Sequence, residues 1–136
     1  MGNINSVTCR NCGYHAETKA GPGFVLFRRQ MKIEEGLLNG EINNPEALQY
    51  LKDGGSIASV AAYLCPCCKE FLTDDSVYFL VESPSKRTKE AVFPFGAPKC
   101  PVCNAELVYI PNIRSSKVRC PKCGGVLKAK LAALYD

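Results

Sequence analysis

Eight of the nine cysteines in this 136-residue chain fall into four pairs of the form Cys-x-x-Cys. The pairs are Cys9/Cys12, Cys65/Cys68, Cys100/Cys103 and Cys120/Cys123. Two sulfurs three residues apart in one tight turn can reach the same ion, and two such turns complete a tetrahedral four-thiolate zinc site. Four turns make two sites, so two Zn²⁺ per chain are expected, held by those eight residues. The chemistry is structural. Four thiolates close the ion's coordination sphere, whereas a catalytic zinc keeps a position open and usually takes His or carboxylate ligands. Pro101 and Pro121 fix their turns, and Gly124 and Gly125 are expected to supply positive φ where backbone N–H groups approach the sulfurs.

The run Cys100-x2-Cys103-x16-Cys120-x2-Cys123 has the spacing of a complete zinc ribbon. Sequential pairing is therefore expected, with Cys9, Cys12, Cys65 and Cys68 forming the other site across a 52-residue insertion. Loop-closure entropy grows only logarithmically with length, so that gap is tolerable. Two other pairings are possible, one of which joins the first turn to the third. Cys67, the ninth cysteine, reads as a bystander thiol; the sharper reading is a free thiol made reactive by the adjacent metal. His15 follows Cys12 closely and is a possible substitute ligand. With eight cysteines available it is not required.

No other catalytic constellation is present. One His and no nucleophile motif argue against a triad, and Gly21-Pro22-Gly23 is a turn and not a phosphate loop of Walker type. The chain is expected not to be an enzyme and to take no small-molecule substrate. At 46% hydrophobic and 22% charged it is a globular composition. The longest nearly unbroken apolar run, Ile57 to Leu64, is far short of the ~18 residues of a membrane span. Met1 to Ser6 lacks the features of a secretory signal. A cytoplasmic protein without membrane contact is expected, and there cysteines serve metal ahead of disulfides.

The elements that must position these turns are legible in part. Phe24 to Phe27 reads as a strand and about Arg29 to Asn39 as a helix, from Ile33 and Leu37 at i, i+4. A second helix is capped by Asn44, opens on Pro45 and ends at Gly54-Gly55. Ile57–Leu64, Ser76–Glu82 and Ala91–Phe95 read as strands. Glu106–Ile110 and Lys117–Arg119 read as hairpin arms, followed by a last strand over Val126–Leu131. The polar stretch Ser83 to Glu90 reads as a connector. It sets the expected domains: 1–82, an N-terminal zinc-ribbon unit with a helical insertion at about 29–54, and 83–136, a C-terminal zinc ribbon.

Charge divides at the same place. Residues 1–82 hold 7 basic and 10 acidic side chains, and residues 83–136 hold 10 basic and 3 acidic. A four-thiolate zinc site carries a net −2, so two of them bring the formal +4 of the chain to about zero. The basic half offers Arg114, Lys117, Arg119, Lys122, Lys128 and Lys130 as candidate contacts to phosphate or to an acidic partner. A solvated basic face is the plain alternative. With only Tyr109 and Tyr135 nearby, stacking on single strands has little support.

The segment Cys9-Arg10-Asn11-Cys12-Gly13-Tyr14 resembles the first metal turn of rubredoxin and rubredoxin-like zinc ribbons. The Cys-Pro-x-Cys turns at Cys65, Cys100 and Cys120 resemble their second. The whole order is similar to a group of small, uncharacterised bacterial zinc-ribbon proteins that end on a short aliphatic-aromatic-Asp stretch, here Leu134-Tyr135-Asp136. The resemblance implies metal binding and no particular activity. Rubredoxin itself is departed from in the 52-residue gap and in the missing aromatic shield of an iron centre. The expected protein is small and α+β, with two rubredoxin-like zinc-ribbon units. It is expected to be a non-enzymatic module that binds another macromolecule, protein or nucleic acid. The alternative is rubredoxin-like iron electron transfer or thiol-redox chemistry.

Overall fold

A computed structural model describes residues 2–21, 23–82, 89–114 and 118–135. The first strand, β1 (Gly2–Cys9), turns Asn5, Val7 and Cys9 inward and leaves Thr8 exposed. It pairs antiparallel with β2 (His15–Ala20), from Thr8↔His15 to Asn3↔Ala20. On its other side it pairs with the C-terminal strand β9 (Leu127–Tyr135), from Cys9↔Leu127 to Gly2↔Tyr135, with an irregularity between Ile4 and Asn5. The two ends of the chain therefore share one sheet, in the order β2-β1-β9.

Two further antiparallel sheets complete the fold. One has β4 (Ala61–Cys65) between β5 (Glu70–Asp74) and β8 (Val108–Ile110). The other has β6 (Tyr78–Glu82) between β3 (Ser56–Ala58) and β7 (Lys89–Val92). All three sheets draw strands from both sides of the expected boundary at residue 82, so the strands do not sort into the two units 1–82 and 83–136. Most of the connector, residues 83–88, lies outside the described residues.

The helices α1 (Gly23–Asn39) and α2 (Pro45–Lys52) meet the β3-β6-β7 sheet in a core of Leu37, Ala47 and Phe79. The Asn44 side chain accepts the Ala47 N–H at 3.0 Å, and Gly54 at φ 88° and Gly55 receive the end of α2, as expected. Phe24–Phe27 is not a strand but the first turn of α1. Four apolar residues carry no period of their own; the inward positions Gln30, Ile33 and Leu37 continue at helical spacing and decide the matter. The run Ile57–Leu64 is cut into β3 and β4 by Val60, whose φ of 61° breaks the extended backbone. Among the described residues, which leave out Lys117, Glu106–Ile110 does not pair with Val118–Arg119 as the expected hairpin requires. Glu106 bridges Lys99 and Arg119 bridges Val126, each closing its own cysteine turn, and β8 pairs with β4. β1, β2 and β5 lie where no strand was expected. Among the described residues no helix is long and apolar enough to cross a membrane.

Candidate metal centres

The four cysteine turns share one backbone design. In each, the N–H four residues after the first cysteine donates to that cysteine's carbonyl: Gly13 to Cys9 at 3.0 Å, Lys69 to Cys65 at 2.9 Å, Asn104 to Cys100 at 2.9 Å and Gly124 to Cys120 at 2.8 Å. The donor residue always sits in the left-handed region, at φ 77°, 55°, 62° and 76° respectively. Glycine adopts that conformation freely and Asn tolerably, whereas Lys69 holds it at a cost. Of the two glycines expected at positive φ only Gly124 adopts it. Gly125 serves close approach instead: a Cβ there would meet Cys123 Sγ at 3.2 Å, and its N–H donates to that sulfur at 3.4 Å.

The turns pair as nested couples, and this corrects the sequential expectation. Cys9, Cys12, Cys120 and Cys123 form one cluster; Cys65, Cys68, Cys100 and Cys103 form the other. The cause is the strand pairing. β1 delivers Cys9 against Leu127 at the start of β9, just past the fourth turn, while β4 and β8 bring the second and third turns together. Within each cluster the ligand sulfurs lie within 4.8 Å of one another. Closest contacts are 3.5 Å for Cys9–Cys123, 3.6 Å for Cys12–Cys120, 3.4 Å for Cys65–Cys103 and 3.8 Å for Cys68–Cys100. A regular tetrahedron of sulfurs about 2.3 Å from a zinc ion has edges of about 3.8 Å. Both clusters thus fit a tetrahedral ion. The first cysteine of every turn is buried, and the second is exposed or, at Cys68, partly so.

Electrostatics agree with the donor set. The Cys12 N–H lowers the Cys9 thiol to about 7, and the N–H groups of Cys103 and Val102 lower Cys100 to about 6. The partners move the other way. The sulfurs of Cys103, Cys100 and Cys65 push Cys68 up to about 12. Gly125 N–H favours the Cys123 thiolate, yet Cys9 and the other crowded sulfurs push that thiol up to about 12. One thiolate forms readily in each cluster and resists further ones, and a divalent cation relieves that repulsion.

Polar residues join the two clusters. Tyr14, just after the first turn, donates to Glu70 at 2.9 Å and accepts the Phe71 N–H at 2.9 Å. Lys122, inside the fourth turn, lies 2.9 Å from Glu70 and donates to the Cys68 carbonyl at 3.3 Å. The Lys122 and Tyr14 hydrogen bonds hold the Glu70 carboxyl below the usual carboxylate range.

Of the basic residues singled out in the sequence, Arg119, Lys128 and Lys130 gather on one side of the β1–β9 pair. Arg119 and Lys128 line a depression of about 570 Å³ beside the Cys9 cluster, and Lys128 and Lys130 line a neighbouring one of about 240 Å³. Arg10, which sequence reasoning passed over, lines both. Its signal was its place inside the first cysteine turn, between Cys9 and Cys12. Lys122 is committed to Glu70, Arg114 stands at a different cavity, and Lys117 lies outside the described residues. Cys67 and His15 are exposed and belong to neither cluster. No protein-family model, curated protein or solved structure matches this chain.

Proposed function

We propose that this chain is a non-enzymatic, cytoplasmic zinc protein of the zinc-ribbon, rubredoxin-like kind. Two structural Zn²⁺ ions fix a small α+β scaffold that presents a basic face to the phosphates of nucleic acid. The observation that carries the reading is the convergence of Arg10, Arg119, Lys128 and Lys130 along β1 and β9. Thr8 pairs with Lys128 and Ser6 with Lys130, so two hydroxyl-bearing side chains share the outward face with the lysines. Among the described residues none of the four cations has an ion-pair partner; the acidic residue on this face is Glu17, across β1 from Lys130. Arg10 and Arg119 offset the −2 of the adjacent zinc–thiolate centre, and Lys128 and Lys130 extend the positive field beyond it.

Fluorescence anisotropy with mixed single- and double-stranded oligonucleotides tests this. Four phosphate contacts give a log–log salt slope of about −3. Lys128→Glu with Lys130→Glu should abolish binding while both zinc ions stay bound. Absence of wild-type binding at low salt overturns the nucleic-acid reading. Iron in place of zinc on elemental analysis would replace it with the electron-transfer alternative.

A further inference from the structure

Arg114 stands apart from the basic face. It borders a cavity of about 290 Å³ where the three sheets meet, walled by residues of β1, β4, β6 and β8. Among the described lining residues it carries the only charge, and among the described residues it has no ion-pair partner. Its loop is tied locally, since the Arg114 N–H donates to the Asn112 side chain at 3.2 Å. The remaining wall is of two kinds. Val60, Ile110 and Ile113 make it apolar, and the Tyr78 and Tyr109 rings meet at 5.3 Å between centroids and 57°. Asn3, Asn5 and Asn112 add polar side chains, and Asn5 is the buried one. It is only 2% exposed, and its Oδ1 has no hydrogen-bond partner among the described residues. A buried carbonyl oxygen left without a donor is rare in a folded protein and asks for one. The wall also contains the strained residue Val60, a β-branched side chain at φ 61°, held by the Gly21 N–H on its carbonyl at 3.1 Å. Lys69 and Asn104 take positive φ to close cysteine turns, whereas Val60 closes none, and strain without such a role is enriched at active sites, ligand clamps and switch regions.

We propose that this cavity binds a small organic anion. The carboxylate or phosphate pairs with Arg114, a planar apolar body lies against Tyr109 and Ile113, and a hydroxyl or N–H of the ligand supplies the donor that Asn5 lacks once its side chain, closed to solvent in the free chain, turns into the cavity. Among the described lining residues one cation and no acidic residue select the charge, and the volume, at the lower end of ligand pockets, selects a molecule of single-ring size. The site is separate from both metal clusters and from the face of Arg10 and Lys128, so it stands whether or not that face binds nucleic acid.

The test is an amide-resolved NMR titration of the full, zinc-loaded chain with 4-hydroxybenzoate and with 4-hydroxyphenyl phosphate. 4-Hydroxybenzyl alcohol serves as the neutral control. Saturable shifts at Asn5, Val60, Tyr109 and Ile113 are expected with at least one anion, and the better of the two assigns the head group. Arg114 is exposed, so Arg114→Gln should fold with both zinc ions and weaken the anion roughly ten- to a hundredfold. Lys128→Gln should leave it unchanged. No saturable shift with either anion at millimolar concentration overturns the proposal. So do shifts confined to the Arg10–Lys128 face, equal binding of the neutral control, or undiminished binding by Arg114→Gln.

Discussion

Tyr14 and Glu70 share a hydrogen bond of 2.9 Å across 56 residues of chain, one following a turn of each cysteine cluster. The same hydroxyl accepts the Phe71 N–H at 2.9 Å, and Lys122 reaches Glu70 from the fourth turn. Three of the four cysteine turns are thus tied through three side chains, Tyr14, Glu70 and Lys122. These contacts link the two clusters directly.

Removing that hydroxyl tests the tie. Tyr14→Phe deletes one hydrogen bond to a carboxylate and leaves the Phe71 N–H without its acceptor. A loss of about 1–3 kcal/mol is expected from urea unfolding of the zinc-loaded protein. Lys122→Met should cost under about 1 kcal/mol, since both partners of its ion pair are roughly half exposed. Additive losses in the double variant would show that the tie does not act as a unit.

The nested pairing makes a sharper prediction about metal content. A structural Zn²⁺ in a small domain contributes roughly 10–16 kcal/mol of apparent binding free energy, so under the proposed zinc reading a site missing a ligand loses its ion first. Cys9→Ser with Cys120→Ser strikes one cluster twice and should leave one zinc per chain. Cys9→Ser with Cys65→Ser strikes both and should leave less than one. Sequential pairing predicts the reverse. Cys67→Ser should change neither count.

That reversal marks the limit of what the residues alone disclose. The eight ligands are readable because spacing within a turn is local: Cys, two residues, Cys, then a residue able to take positive φ. Asn44, Pro45 and Gly54 mark α2 for the same reason. Which turns meet is decided by β1 pairing with β9, a contact between the chain's two ends that no local pattern encodes. β1 is also hard to see as a strand, because Asn3, Asn5 and Ser6 dilute its alternation. Arg10 joins Lys128 only through that same pairing, so the basic face could not be drawn from composition. Val60 shows the opposite limit. A β-branched residue in an apolar run reads as mid-strand, and only tertiary context turns it left-handed.

The left-handed position after each second cysteine can be tested by exchange. At Gly124 a Cβ would meet nothing within 4 Å, so Gly124→Ala isolates backbone strain from packing. A loss of about 1 kcal/mol is expected. At Lys69 the strain is already present at φ 55°, and Lys69→Gly should be neutral or stabilising by up to about 1 kcal/mol. Urea midpoints at fixed zinc concentration measure both. Equal destabilisation by the two changes would contradict the shared design of the turns.

The last prediction concerns alkaline pH. Tyr78 is 5% exposed, and burial, then the Tyr109 hydroxyl, raises its phenol well above the ordinary value of 10. Burial, with a smaller contribution from Asp74, raises Tyr63 in the same direction, and its hydroxyl has no partner among the described residues. A raised acid keeps its proton in the folded chain at pH values where the unfolded chain has released it. The folded state then binds more protons, and stability falls as pH rises. The contribution is complete below about pH 10 and is lost above it, by up to about 1.4 kcal/mol per pH unit for each phenol. Urea midpoints should therefore be level from pH 8 to pH 9.5 and fall steeply by pH 11. Tyr78→Phe should shallow that fall, and absorbance at 295 nm should show the two buried phenols ionising only with unfolding. If these phenols titrate in the folded protein near the ordinary value, the burial argument is wrong. A midpoint that does not move between pH 9.5 and pH 11 would show the same.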